Sequence, residues 1–465
     1  MRIVWYLLIL SLPFTFSIDQ QRLKQGGEIS SVLVIVLLVL YLARCLYRGN
    51  FGLSRDRATK YFALFLVAAL VSIIRSVDTP FSEFGGERAW IKPAKQLMQL
   101  GLAAPIYFWV PYFVRNRQDL NRTLRAYLGA LLMVLALGLV EFWAYFRRSP
   151  LLMDFIDAFH TSSGGKDWNQ MRLFLAATEP SMAANYLLSV LPLVIFGAFR
   201  LRTRLRAWVL SAGTLMVFIL TFSLSGYLAF LFAISTGLLF VRRRGTKLIL
   251  GGVTVLAILL LFAPTRLYLT WMYDRFASRS EDTSISGRMA DAELGWNTFL
   301  ANPVLGVGIG NQPFYIPLYY PNAAFTNGYN YQAFKSAYQD ASMVSQTNMV
   351  IRILAETGLA GAILFILWHF ELFRTGWWCF QNSANEKDRT LSFAILLATV
   401  SLMFEYCAMS SFHTHYIFFI FGLLPAWRNV LQTEKGRAPL PQTVSTPTLK
   451  RGQVSLKPGR LVRNF

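Results

Sequence analysis

Residues 345–361 read SQTNMVIRILAETGLAG, so Gln346, Thr347 and Asn348 stand ahead of Arg352 and Glu356 in a run that otherwise reads as membrane. Charges inside a spanning helix are costly and tend to mark function. Arg352 and Glu356 are spaced i, i+4, so they share one helix face and can pair, which lowers that cost. The pair therefore reads as support for the start of the helix. Glu179 in MRLFLAATEPSMAANYLL precedes Pro180 at a helix start, with the carboxylate near the positive helix end. It is either a dipole-complementing cap or a base that takes a proton from a hydroxyl. His413 and His415 in SSFHTHY are side chains that titrate near neutral pH, suited to proton transfer or to plain interfacial hydrogen bonding. Cys45, Cys379 and Cys407 are too scattered for a disulfide framework or a cysteine metal site. No metal or cofactor is expected.

Arginines form the second chemical group. Arg75, Arg88, Arg147, Arg148, Arg172, Arg275, Arg279 and Arg288 fall in or beside loops that share one side of the predicted topology. Arg grips phosphate bidentately and keeps its charge when partly desolvated, so the set suits a lipid pyrophosphate. Its bland role is to snorkel towards headgroups. In SGRMADAELGWNTFLANPVLGVGIGNQ (286–312), Arg288, Ala292, Gly295, Trp296 and Phe299 fall at helical spacing. That predicts an interfacial amphipathic helix stopped by Asn302-Pro303. The glycines of GVGIG, Gly306 and Gly308 among them, predict a tight turn whose backbone can approach a ligand closely. The aromatic segment 314–338 suits stacking on sugar rings or anchoring at an interface.

The elements that must position these residues are membrane helices. Of the 465 residues 55% are hydrophobic and 15% charged, against about a quarter charged in soluble proteins. Apolar runs long enough to span recur throughout. They predict about twelve spans, near 3–18, 30–47, 60–75, 97–114, 124–146, 180–199, 207–222, 224–241, 247–264, 347–370, 391–408 and 412–428. The first reads as a retained helix rather than a cleaved signal. A net charge of +21 would suggest nucleic acid in a soluble chain. Here the basic residues crowd short loops such as RLRTRLR and RRRGTK, which the positive-inside rule keeps cytoplasmic along with both termini. No nucleic-acid partner is expected; membrane lipids are. The chain divides into N-terminal spans (1–264, about nine), a large extracytoplasmic loop with short helices (265–346), C-terminal spans (347–428, about three) and a basic tail (429–465). The polar residues gather at the outer boundary. The spans lack the carboxylate series and internal repeats expected of a transporter or flippase, the reading of another class.

The pattern Arg288…Trp296…Asn302-Pro303-x-Leu305-Gly306-x-Gly308-x-Gly310, a Tyr-rich insert, then Thr347-Asn348…Leu354-Ala355-Glu356-x-Gly358-Leu359-x-Gly361 resembles the O-antigen ligase and polymerase superfamily. The resemblance implies an all-α, GT-C-like bundle in the bacterial inner membrane. It also implies an inverting, metal-independent glycosyltransferase that uses polyprenyl-pyrophosphate-linked oligosaccharides as donor and acceptor, working beside a chain-length regulator and a flippase. By position, Arg288 is the donor-pyrophosphate residue and catalytic arginine, with Arg172 a second from the earlier loop. Ligases of this family carry histidine where this chain has Thr347, which cannot titrate near neutral pH. Their Ser-Arg-Gly-like element is Ser223-Leu224-Ser225-Gly226 here. Both departures favour a polymerase over a ligase to lipid A-core or protein, and they leave Glu179, His413 or His415 as replacement base. Thr347, Asn348, Arg352, Glu356, Gly306 and Gly308 are expected to support the site.

Overall fold

The computed structural model describes residues 1–14, 29–48, 54, 56–80, 83–84, 87–160, 172–177, 179–198, 204–240, 283–319, 348–412 and 414–437. The predicted span 247–264, Arg275, Arg279, Thr347, His413, most of the aromatic segment and nearly all of the tail lie outside those residues.

The described chain is a helical bundle. Its helices are α1 (Arg2–Ser11), α2 (Ile29–Arg48), α3 (Arg57–Ser72), α4 (Ile91–Phe113), α5 (Arg117–Arg147), α6 (Pro150–His160), α7 (Pro180–Ala198), α8 (Arg204–Ile219) and α9 (Leu224–Phe240). After the large loop begins come α10 (Thr283–Ala301) and the single turn α11 (Ile316–Tyr319). The last three are α12 (Met349–Asn382), α13 (Glu386–Glu405) and α14 (His415–Arg437). A minimal antiparallel ribbon, β1 (Glu83–Phe84) and β2 (Glu87–Arg88), pairs Glu83 with Arg88 ahead of α4.

Among the described residues, five helices are long and apolar enough to cross a membrane: Ile29–Tyr47, Arg57–Asp78, Arg117–Arg147, Pro180–Gly197 and Met349–Asn382. Helices α1, α8 and α9 are apolar but shorter. Helices α13 and α14 have the length and are less uniformly apolar, and their surroundings give the reason. Every residue from Leu391 to Ser401 is buried, as is every residue from Tyr416 to Trp427. A helix enclosed by other helices can carry Ser392, Thr399 and Ser401, whose hydroxyls bond to backbone carbonyls one turn back. A lipid-facing helix has less freedom to do so.

Aromatic side chains fill the core. Phe62 of α3 stacks on Trp368 of α12 at 4.2 Å, and Phe65 meets Phe365 at 5.3 Å. Tyr107 of α4 lies edge-on to Phe62 at 4.9 Å, and Phe418 of α14 closes the group at 5.9 Å. Offset and edge-on rings of this kind add about 0.5–1.5 kcal/mol per pair beyond area burial.

One end of the bundle is tied by charge. Arg117 at the start of α5 donates to both oxygens of Asp388 at 2.7 and 2.6 Å, and to Glu434 of α14 at 2.5 and 2.7 Å. Asn385 caps α13 by accepting from the Asp388 N–H at 2.8 Å. This clamp brings the start of α5, the start of α13 and the end of α14 together. The end of α13 and the start of α14 therefore lie at the opposite end of the bundle.

Candidate functional site

The two glycine motifs pack against each other. Helix α12 begins at Asn348, whose side chain accepts from the N–H groups of Val350 at 2.9 Å and Ile351 at 3.1 Å. It breaks at Gly358, with φ 63° and ψ −165°. The turn after α10 docks into that break: Val307 N–H donates to Ala355 O (3.0 Å) and Gly308 N–H to Glu356 O (2.9 Å). In return Leu359 N–H donates to Pro303 O (2.8 Å) and Ala360 N–H to Val304 O (3.3 Å). A Cβ on Gly306 would lie 2.4 Å from the Glu356 carbonyl carbon, and one on Gly358 would lie 2.3 Å from Val304 O. Both glycines also have positive φ. The expected close approach is therefore real, but its partner is the chain's own helix rather than a ligand. The turn satisfies backbone groups that the kink frees, which is why a break is tolerated inside an apolar helix.

Below this junction Arg352 is buried. Its Nε donates to Glu356 Oε2 at 3.1 Å and Nη2 to Gln96 Oε1 at 2.7 Å; Nη1 donates to Ser410 O, and the guanidinium lies over Phe412 at 4.9 Å. Arg352 and Glu356 form the expected pair, and Arg352 also ties α12 to α4 and to the segment before α14.

A second junction brings Arg172 in. Glu141 of α5 is fully buried and accepts the N–H groups of Phe174 and Leu175, each at 2.9 Å. Gly138, one turn earlier, makes room for Leu175, which holds φ 57°. So anchored, the segment 172–177 lies along the turn between α8 and α9: Leu173 N–H donates to Leu220 O at 3.0 Å and Arg172 Nη2 to Phe222 O at 3.4 Å. That turn continues into the Ser223-Leu224-Ser225-Gly226 element.

Ser225 faces Glu405, the last residue of α13. Glu405 is only 1% exposed. With its amide turned to satisfy both ends, Asn185 of α7 donates to Glu405 Oε1 at 2.9 Å and to Ser181 O at 3.3 Å. Glu405 Oε2 has no hydrogen-bond partner among the described residues. Arg288 of α10 is exposed and acts electrostatically on both Glu405 and Asp291. Asp291, one turn along from Arg288, is pushed up to about 7 by burial, with the Arg288 charge pulling the other way. Three separate segments thus converge on Glu405, namely α7, the start of α9 and the end of α13, with the Arg288 charge acting from α10.

The other predicted residues sort by their partners. Arg75 pairs with Asp78 at 2.8 Å and reaches Asn302 at 3.4 Å. Arg147 and Arg148 lie over Trp143 and Tyr145 at 4.9 and 5.0 Å, the bland interfacial arrangement. Glu179 is exposed at the start of α7 and accepts from Ser181 Oγ at 3.1 Å. His415 is buried, with Nδ1 2.7 Å from Ser30 Oγ of α2. Phe314 and Tyr315, which open the aromatic segment, are packed with Ala89, Leu294 and Val307 rather than offered to solvent. The amphipathic face of α10 is also rotated from the expected one. Ala290, Leu294, Gly295, Thr298 and Phe299 are buried, while Trp296 joins Arg288 on the exposed side. Sequence reasoning gave no role to Asp291 or Asn185. Glu405 is a lone carboxylate in the apolar run LMFEYCAM, and that is the signal by which it could have been found.

The architecture defines a polytopic helical membrane protein with a polar cluster at one end. Residues 209–366 match the family model for O-antigen ligase, and this match supports the O-antigen ligase/polymerase superfamily. No curated protein matches the chain. The matched stretch holds Ser225, Arg288 and both glycine motifs; Arg172, Glu179 and Glu405 come from outside it.

Proposed function

We propose that this protein is a polysaccharide polymerase of the bacterial inner membrane. It moves a growing glycan from polyprenyl pyrophosphate to a lipid-linked repeat unit at the outer face, in exopolysaccharide, capsule or O-antigen synthesis. Both termini are cytoplasmic, and the bundle is a GT-C-like arrangement of about twelve spans. The observation that carries the reading is the match of residues 209–366 to the O-antigen ligase family, a stretch that holds the exposed Arg288 and the two glycine motifs packed on each other.

In this reading Arg288 and Arg172 hold the donor pyrophosphate, and the charge on the leaving group grows against a fixed guanidinium. The acceptor hydroxyl attacks the anomeric carbon from the opposite side, inverting it, while a base takes its proton. No metal enters the scheme. The paired turn and helix break, with Asn348, Arg352 and Glu356, fix the end of α10 against α12 and so hold Arg288 in register. Glu179 and the histidines at 413 and 415 are the sequence-based candidates for the base. A chain-length regulator and a flippase are the expected partners.

Purified protein given lipid-linked repeat units should produce a ladder of longer glycans; units left at their starting length rule the polymerase out. The ligase alternative is favoured by the description of the matched family. It predicts that deleting the gene leaves lipid-linked polymer of normal length that is never attached.

A further inference from the structure

We propose that Glu405 is the proton acceptor of the transfer reaction, taking the acceptor hydroxyl's proton on Oε2. The assignment rests on the polymerase reading and adds to it the group that the sequence leaves open.

The geometry supports it in three ways. Glu405 is enclosed at the end of α13, and Oε1 is held by Asn185 at 2.9 Å, which fixes the plane of the carboxylate. Oε2 is left without a partner among the described residues. An unfilled acceptor on a buried carboxylate costs stability, and an outside donor such as a substrate hydroxyl would fill it. The flanking groups are also those the reaction needs. Ser225 faces the carboxylate from α9, and Arg288 reaches it electrostatically from α10. The Arg288 charge would therefore act both on the proton acceptor and on the leaving pyrophosphate.

The two other candidates among the described residues are already engaged. Glu179 is solvent-exposed and bonded to Ser181 Oγ, and His415 is buried against Ser30 of α2. Ser225 belongs to the Ser223–Gly226 element that departs from the ligase pattern, and Thr347 replaces the ligase histidine. A carboxylate on α13 supplies a base that neither motif contains.

The step balances without a co-reactant. The hydroxyl oxygen forms its bond to the anomeric carbon as the bond from that carbon to the pyrophosphate oxygen breaks. The hydroxyl proton passes to Glu405 Oε2, and polyprenyl pyrophosphate leaves with the electron pair, opposite Arg288. Glu405 then returns the proton to water for the next cycle. Among the described residues, the charged or titratable groups acting on or beside Glu405 are Arg288 from α10 and the Cys407 thiol just past its own helix.

The test compares wild type, Glu405→Gln and Glu405→Asp in transfer from lipid-linked repeat units, and in binding of unsubstituted polyprenyl pyrophosphate. The Gln variant should bind pyrophosphate within about twofold of wild type and transfer about 10²–10⁴-fold more slowly. It should also lose the acid limb of the rate profile. The Asp variant, its carboxylate drawn back by one methylene, should bind normally and transfer at least about tenfold more slowly, with that limb kept. If the Gln variant loses binding through misfolding, the Asp variant decides, and wild-type transfer in it overturns the assignment. Transfer by Glu405→Gln within about threefold of wild type overturns it as well. A wild-type protein that makes no ladder overturns the polymerase reading and this assignment together.

Discussion

Two carboxylates at opposite ends of α13, Asp388 and Glu405, are treated in opposite ways. At one end Arg117 spends both faces of its guanidinium on Asp388 and Glu434, and Asp388 is further held by Asn385. Little hydrogen-bonding capacity is left over, and the cluster joins three helices. At the other end Arg288 is exposed and forms no ion pair among the described residues. Glu405, as buried as Asp388 is, keeps an oxygen unfilled. An unfilled oxygen is not confined to that end, since buried Asp119 beside Arg117 keeps one too; at Glu405 the unfilled oxygen adjoins the Ser223–Gly226 element, and it is that conjunction the proposal uses. Arg352 shows that position alone does not separate the cases. It lies on the site's side of α12 yet is filled by Glu356, Gln96 and Ser410.

The comparison breaks first at Arg288. Arg288→Ala should lower polymer formation by about 10²–10³-fold while the protein still inserts and expresses, the usual effect of removing one preorganised donor. Near-normal polymer in a membrane-extract assay would remove Arg288 from the site.

The next largest effect should fall on the junction between the turn and the helix. Gly358→Ala forces a Cβ to 2.3 Å from Val304 O at φ 63°. That should cost about 3 kcal/mol, strain and overlap together, read as a lower thermal midpoint in detergent. Transfer should fall too, because α10 loses its seat.

Arg117→Ala should separate structure from chemistry. It leaves Asp388 buried without its main partner, a loss of about 1–3 kcal/mol, held down because Arg117 is itself partly exposed. The midpoint should drop while the transfer rate per folded molecule stays unchanged. A fall in that rate would mean the two ends are coupled.

The smallest effect concerns pH. Burial pushes Asp291 up to about 7, so it is neutral below that pH and gains its charge as pH rises through it. A carboxylate ionising one turn from Arg288 would offset part of the charge that the proposed function has Arg288 offer to pyrophosphate. Donor affinity should therefore weaken as pH rises past about 7, by no more than about fivefold for a partly screened pair. Asp291→Asn should flatten that step in a binding titration. The same sign applies to folding: the raised folded-state pKa favours the native state at low pH, and this contribution is lost as pH rises through about 7.

Much of the fold was legible because bilayer physics writes itself into composition. Asn348, Asn116 and Asn385 start helices by accepting the first free N–H groups, and Pro180 opens α7. The pairing of Arg352 with Glu356 followed from their spacing. The site was less legible. Arg288 and Arg172 stood out as arginines among many, and spacing could not say that Arg75 would be paired or that Arg147 and Arg148 would lie over aromatic rings. The glycines promised a close approach, and nothing local identified α12 as the partner. Asn185 lies in no motif, and Ser225 was marked only as part of the element that departs from the ligase pattern. Only Glu405, one carboxylate in an apolar run, gave a hint.

What the sequence determined by itself is the periodic and the local: apolar runs that need a membrane, capped helix starts, i, i+4 pairs and a motif grammar shared with a family. Tertiary structure alone decided which groups are filled. Whether a carboxylate has a partner depends on side chains brought in from elements far along the chain, and packing, not spacing, sets those contacts. Asp388 and Glu405 sit at the two ends of the same helix. Arg117 reaches one, and Asn185 reaches the other while leaving an oxygen unfilled.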